Sequence, residues 1–413
     1  LLPDGPNLLG KSWTGSDKSD SAQADLGKEE SEMAGSSPGS LGALVDPSLP
    51  LPWGTLMPNP IPLSRTAGAF VNGLFYMIGG EDSTGLPNGA VQVYNPASHT
   101  WGQLSTSMTN AYSDVCAAVI GADIYLPGGY DGAALPPAPT DHLTIFHTAT
   151  QTWENADSLP AARSSAACAV FNGKLYMFGG ADTSNKTPAT AWRYDPSQPA
   201  GHHWSTLASI PASAMQGAAL TMPNGLIFYA GLTHSGGDLN TVLGYDPIAN
   251  GWTAYPGLQT ARGGAGMWSY ANTLYVGGGG GTALNSVEAY DTSLGTGGSW
   301  TYSNPMVQAR STFAYATDPQ GAFYAAGGWA NAYLGNAERV RLPLPIPWLA
   351  VPPSGSLNPG DSVTVTLTFD TSKLTPSFYQ AYLLVDDGIS FGGVPVSLNL
   401  QAGSIQLFPF VGH

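Results

Sequence analysis

The sequence predicts an all-β fold in which a four-stranded sheet recurs about every 50 residues. Three observations carry that expectation. Six tryptophans, Trp53, Trp101, Trp153, Trp204, Trp252 and Trp300, follow one another at intervals of 48 to 52 residues, and each opens a strand-like segment. Ahead of each later Trp lies an aromatic strand ending in glycine: Tyr76 with Gly79-Gly80, Tyr125 with Gly128-Gly129, Tyr176 with Gly179-Gly180, Phe228 with Gly231, and Tyr275 with Gly278-Gly279. Tyr324 with Gly327-Gly328 is a further copy. Between glycines and Trp runs a third strand, ending in Tyr94-Asn95, Phe146-His147, Tyr194-Asp195, Tyr245-Asp246 or Tyr290-Asp291. A period of this length is too long for a helical solenoid and fits one blade of a propeller.

Each element has a physical reason. Asn72-Gly73, Asn172-Gly173 and Asn224-Gly225 sit between β-rich runs, where a type I′ hairpin needs two residues at positive φ. The double glycines follow the second strand, where a residue without Cβ lets the chain leave a crowded region. Tyr and Trp of the third and fourth strands carry large apolar bodies with a polar tip, suited to wedging between neighbouring sheets. The last copy ends at Val340-Arg341 with no Trp strand after it, whereas Trp53-Gly54-Thr55-Leu56 precedes the first complete sheet. That segment is expected to supply the outer strand of the last blade, closing a ring of six.

These residues resemble the kelch consensus over roughly residues 50 to 342, and the motif set is specific for fold. The whole chain then reads as three parts: an extended polar arm over 1–45, a six-bladed kelch propeller over 46–342, and a small domain over 343–413. The arm is rich in Ser, Gly, Asp, Glu and Lys and buries too little apolar surface to order itself. Leu1, Leu2, Leu8, Leu9 and Trp13 are its candidate anchors on a neighbouring copy or another surface protein. After the stiff Pro-rich stretch 342–347, Val363, Val365, Leu367 and Phe369 alternate with threonines, and two further alternating runs follow, around Tyr379 and Val394. This last region resembles the small immunoglobulin-like domains of secreted bacterial proteins, a β-sandwich shorter than a full one.

A formal net charge of -15 and the lack of a basic stripe argue against nucleic acid. No apolar run is long enough to cross a bilayer as a helix. Few lysines, many Ser, Thr and Gly, and a start at Leu1 favour an exported, extracellular or cell-surface protein with a processed N-terminus. The two cysteines, Cys116 and Cys168, lie on the first strands of adjacent blades, displaced by one residue, so that they face one another from neighbouring sheets. A disulfide and two buried thiols both fit that placement.

In kelch relatives the loops from strand four to one and from strand two to three share a face, and arginines at that rim bind acidic peptides. The resemblance therefore makes Arg65, Arg163, Arg262 and Arg310, together with Glu81, Tyr130, Asp131, Asp182 and Trp329, the candidate binding rim. Local capping and pairing explain the same residue types without a ligand. Kelch relatives also include copper-radical oxidases and sugar mutarotases, so a carbohydrate-active enzyme is the alternative. None of the seven histidines falls in a copper motif, no zinc spacing or P-loop occurs, and neither a catalytic residue nor a metal or cofactor is assigned.

Overall fold

The computed structural model describes residues 52–341 apart from positions 135, 236 and 320, together with the backbone of short strands outside that span. The chain divides into two compact units, residues 52–342, and residues 1–51 with 343–413.

The larger unit carries six four-stranded antiparallel sheets. The first runs through Ala67–Val71, Leu74–Ile78, Ala90–Asn95 and Thr100–Ser107. The next four begin at Ala118–Ile120, Ala167–Phe171, Ala218–Thr221 and Gly266–Tyr270 and end on strands that start within one residue of the repeating tryptophans. In the sixth, Ala314–Thr317, Ala322–Ala326 and Ala337–Arg341 are joined by Gly54–Leu56 from the other end of the unit. Its register sets Gly54 opposite Arg339 and Leu56 opposite Ala337. Second strands are mostly apolar, with Phe75 to Ile78 buried, because a sheet covered on both faces has little polar side to present, whereas third strands bury single polar residues such as Gln92, Glu288 and Glu338. Outer strands such as Thr100–Ser107 alternate between exposed and half-buried positions.

First strands touch from sheet to sheet in chain order, and that of sheet six touches that of sheet one. A collar of backbone hydrogen bonds follows the same circuit. Asp114 N donates to Arg65 O at 3.0 Å, Ser165 N to Asp114 O at 2.7 Å, and Gln216 N to Ser165 O at 2.8 Å. Gly264 N then donates to Gln216 O at 2.8 Å, Thr312 N to Gly264 O at 2.8 Å, and Arg65 N to Thr312 O at 2.6 Å, back at the start. All six residues sit in the left-handed region, with φ from 49° to 65°, although only one is a glycine. Five side chains thus hold a conformation that costs about 1–2 kcal/mol each, held by the surrounding packing.

Close approach explains two glycines. A Cβ on Gly68 would lie 2.3 Å from Tyr315 N, where the first strands of sheets one and six meet. A Cβ on Gly327, at φ +64°, would lie 2.5 Å from Leu63 O. Asn72-Gly73 and Asn172-Gly173 take positive φ at both positions, as a type I′ turn needs. At Asn224-Gly225 only Gly225 does, at φ 87°. Pro223, with its φ fixed negative, makes a three-residue loop there, in which Gly225 N donates to Met222 O and Met222 N to Leu226 O.

The tryptophans pack, tilted, against an aromatic near the end of the third strand of their own sheet, as Phe146 with Trp153 at 4.7 Å and Tyr245 with Trp252 at 4.9 Å. Their indoles also reach the preceding sheet: Trp204, Trp252 and Trp300 donate to the carbonyls of Asp157, Ala208 and Pro256. Trp53, whose sheet ends in Val340-Arg341, meets Trp268 edge-on at 5.4 Å. Cys116, two residues before its first strand, and Cys168 are joined in a disulfide between sheets two and three, with a Cα separation of 5.9 Å.

In the smaller unit Asp20–Gln23 pairs antiparallel with Thr366–Phe369, which also pairs with Leu349–Ala350. Ser40–Leu41 pairs with Gly355–Ser356, and Ser40 also stands opposite Asp386. Ser377–Asp386, Phe391–Gln401 and Ser404–Pro409 form an antiparallel run. The arm's described strands therefore pair within their own chain, where composition had pointed to a neighbouring copy. Leu1, Leu2, Leu8, Leu9 and Trp13 lie outside the described residues, as do Val363 and Val365.

Candidate functional site

Three of the four arginines expected at a binding rim are buried, and each has a structural task. Arg310 is fully buried and donates to Glu338 Oε1 at 2.6 Å, to Gly327 O and to Asn336 O. Glu338 in turn accepts from Val307 N at 2.6 Å and Gln308 N at 3.2 Å. Arg262 and Glu288 repeat the arrangement one sheet earlier, with Gln259 N and Thr260 N on the carboxylate. These pairs pin the incoming loop to the third strand of its own sheet. Sheet one does the same without charge: Gln92 accepts from Ile61 N at 2.7 Å and returns an amide bond to Ile61 O, while Leu63 stands where the arginines do. Arg163 lies over the Trp192 ring at 4.8 Å and donates to Ala162 O and Thr190 Oγ1. Burial lowers the pKa of both Arg163 and Arg310. The expectation of a basic rim made of these three is corrected accordingly: an Arg two residues before the collar points into the sheet.

Arg65 differs because it is itself a collar residue. Its side chain is 38% exposed, with Nη1 at 3.0 Å from both Asp114 oxygens and Nε at 3.6 Å from Glu81. Attraction to Asp114 is the largest cause of its raised pKa. Ser165 donates to the same Asp114 at 3.0 Å, and Tyr333 donates to Glu81. That hydrogen bond pushes the Tyr333 phenol up to about 12. One polar chain, Tyr333, Glu81, Arg65, Asp114 and Ser165, thus runs across four successive sheets.

It borders a basin of about 400 Å³, also lined by Gln216, Thr233, Asp238, Thr312 and Trp329. Beneath lies a channel of about 410 Å³ between the first strands, walled largely by Ala, Gly and Val. Arg65, Gln216 and Thr312 border both. Asp238 accepts from Gly281 N at 3.1 Å. Trp329 is held by backbone bridges to Ser311 and Tyr333.

Of the other expected residues, Glu81 and Trp329 line the basin, whereas Tyr130, Asp131 and Asp182 serve their own loops. Tyr130 donates to Pro137 O, and Asp131 accepts from Ala133 N and Ala134 N. Asp182 accepts from Ser184 N and Lys186 N, and the Lys186 bond is the largest cause of its lowered pKa. Sequence reasoning missed Asp114, Gln216, Asp238 and Tyr333. Asp114 and Gln216 occupy the repeat position of Arg65, so aligning copies on that residue would have found them.

The histidines are dispersed among local partners. His147 sits between Asp123 and Glu154 at 3.0 Å each, and the Asp123 hydrogen bond raises its pKa. His203 pairs with Asp157 at 2.6 Å, and His142 with Tyr112 at 2.5 Å. Among the described residues no three of His, Cys, Asp and Glu gather as metal ligands.

A family model described as the KLHDC2/KLHL20/DRC7 Kelch-repeats domain matches residues 65–258. Those residues are kelch repeats. The chain is 31% identical over 221 residues to Kelch-like protein terF of Aspergillus terreus (strain NIH 2624 / FGSC A1156), a match covering 49% of this chain and 46% of that protein. It is 26% identical over 231 residues to alpha-scruin of Limulus polyphemus, covering 51% of this chain and 24% of that one. The chain thus spans less than half the length of these curated relatives. The solved structure of YjhT is similar at TM-score 0.58 and 14% identity, over 73% of this chain and 99% of that one, a likeness of fold alone.

Proposed function

We propose that this chain is a six-bladed kelch propeller that acts by binding, holding a protruding segment of a partner protein at the channel mouth. The carrying observation is the basin bordered by Arg65, Glu81, Asp238, Trp329 and Tyr333, where side chains from separate sheets converge on a concave surface of about 400 Å³. Concave sites with a few convergent polar groups and aromatic walls are the usual form of a binding site. The reading includes residues 343–413 as a small immunoglobulin-like sandwich, supported by the antiparallel run from Ser377 to Pro409. It also includes a location outside the reducing cytosol, supported by the Cys116–Cys168 disulfide. Pairing of the arm within its own chain favours a single-chain binder over an assembly held by its arm.

A photocrosslinking amino acid at Tyr333, compared with one at exposed Tyr302, tests the reading in the native secreted fraction. Crosslinks to discrete proteins from Tyr333, lost on Trp329→Ala, are expected. Equal crosslinking from both positions, or turnover in a screen of sugars with and without copper, would overturn it.

A further inference from the structure

The burial of Arg163, Arg262 and Arg310 changes the sign of the mouth. A basic rim suits an acidic ligand. Here Arg65 remains the sole lining Arg or Lys at the described basin, and its guanidinium is already shared between Asp114 and Glu81. Glu81 and Asp238 line the same basin, so its carboxylates exceed its cations. An entering carboxylate or phosphate would have to displace Asp114 from Arg65 and lie near Glu81, with like-charge repulsion and no free donor fork.

A cation meets the opposite situation. Glu81, with Arg65 Nε at 3.6 Å, and Asp238 offer oxygens whose hydrogen-bond partners are a phenol and a single backbone amide. Trp329 and Tyr333 form aromatic wall, on which an ammonium or guanidinium gains from the ring quadrupole. The hydroxyls of Ser64, Ser311 and Thr312 and the bare backbone of Gly280-Gly281 complete a surface that a peptide chain can approach closely.

We propose that the mouth selects a segment carrying a basic side chain, Lys or Arg, seated between Glu81 and Asp238 against Trp329 and Tyr333. This rests on the mouth being the partner site and adds the charge of what it takes. The whole-chain charge of -15 acts in the same direction, steering basic partners towards the molecule at low salt.

The test titrates the full chain with three capped tripeptides, acetyl-Gly-Arg-Gly-amide, acetyl-Gly-Glu-Gly-amide and acetyl-Gly-Ala-Gly-amide, following indole N–H resonances by NMR. The Trp329 signal is assigned with Trp329→Phe. The basic peptide is expected to shift Trp329 saturably, and the acidic one is not. Glu81→Gln and Asp238→Asn, which keep the acceptors of Tyr333 and Gly281, should each weaken the basic peptide about threefold to tenfold, with thermal melts confirming the fold. If all three peptides shift Trp329 alike, the mouth binds peptides but its charge selectivity is refuted. If the acidic peptide binds best, the sign is wrong. If none shifts Trp329 at millimolar concentration, both this proposal and the mouth as partner site fail.

Discussion

At the residue scale, the Arg310–Glu338 pair shows how one repeat position can carry charge in one sheet and none in another. Removing one partner strands a buried charge, so Arg310→Leu should cost about 3–5 kcal/mol in urea unfolding. The double change Arg310→Leu with Glu338→Gln recreates the Leu63 and Gln92 arrangement of sheet one and should be less destabilised than the single change, by about 1 kcal/mol or more. Equal losses would contradict the assigned role. His147 offers a second measurement. Its folded pKa lies above the usual 6.5, so the stability it adds is fully present below 6.5 and is lost as pH rises through the folded value. An NMR titration should give a midpoint above 6.5, and Asp123→Asn should lower it. The arginines were visible in the sequence, yet their direction was not, because Arg310 finds Glu338 only after the chain has turned twice through the sheet.

At the element scale, the repeat was legible because its turns and aromatics answer to local rules. Asn72-Gly73 and Asn172-Gly173 needed nothing beyond their own dihedral demands. Asn224-Gly225 departed because Pro223 lengthened the loop, a constraint present in the sequence but weighed below the Asn-Gly signal. Gly54–Leu56 was readable from its likeness to the segment at Trp101, and its pairing with Ala337–Arg341 leads to a truncation experiment. Deleting residues 1–57 should lower the melting temperature and solubility of the larger unit by exposing an unpaired edge, while deleting 1–40 should leave its melt unchanged. Identical behaviour of the two would count against that pairing. The disulfide joins residues 52 apart in sequence, and breaking it by Cys116→Ala with Cys168→Ala should cost about 2–4 kcal/mol. Mass spectrometry under denaturing conditions should show no alkylation of either cysteine until reductant is added.

At the scale of the whole molecule, the candidate site was the least legible part, since it belongs to no single repeat. Tyr333, Glu81, Arg65, Asp114 and Ser165 come from four sheets and meet only because the collar places six repeat positions around one opening. Aligning the copies gives the shared position of Arg65, Asp114, Ser165, Gln216, Gly264 and Thr312, but the left-handed conformation of a non-glycine residue is announced in no composition or period, so the collar they form could not be read in advance. Its closure makes the basin a property of the ring: opening one junction would move Thr312 and Trp329 away from Arg65 and Glu81. Native-state hydrogen exchange of the amides of Arg65, Asp114, Ser165, Gln216, Gly264 and Thr312 tests this most directly. The account predicts that all six exchange together, with the free energy of global unfolding of the larger unit. Faster exchange at Arg65 alone, the junction between the last sheet and the first, would show a ring that opens there and would contradict it.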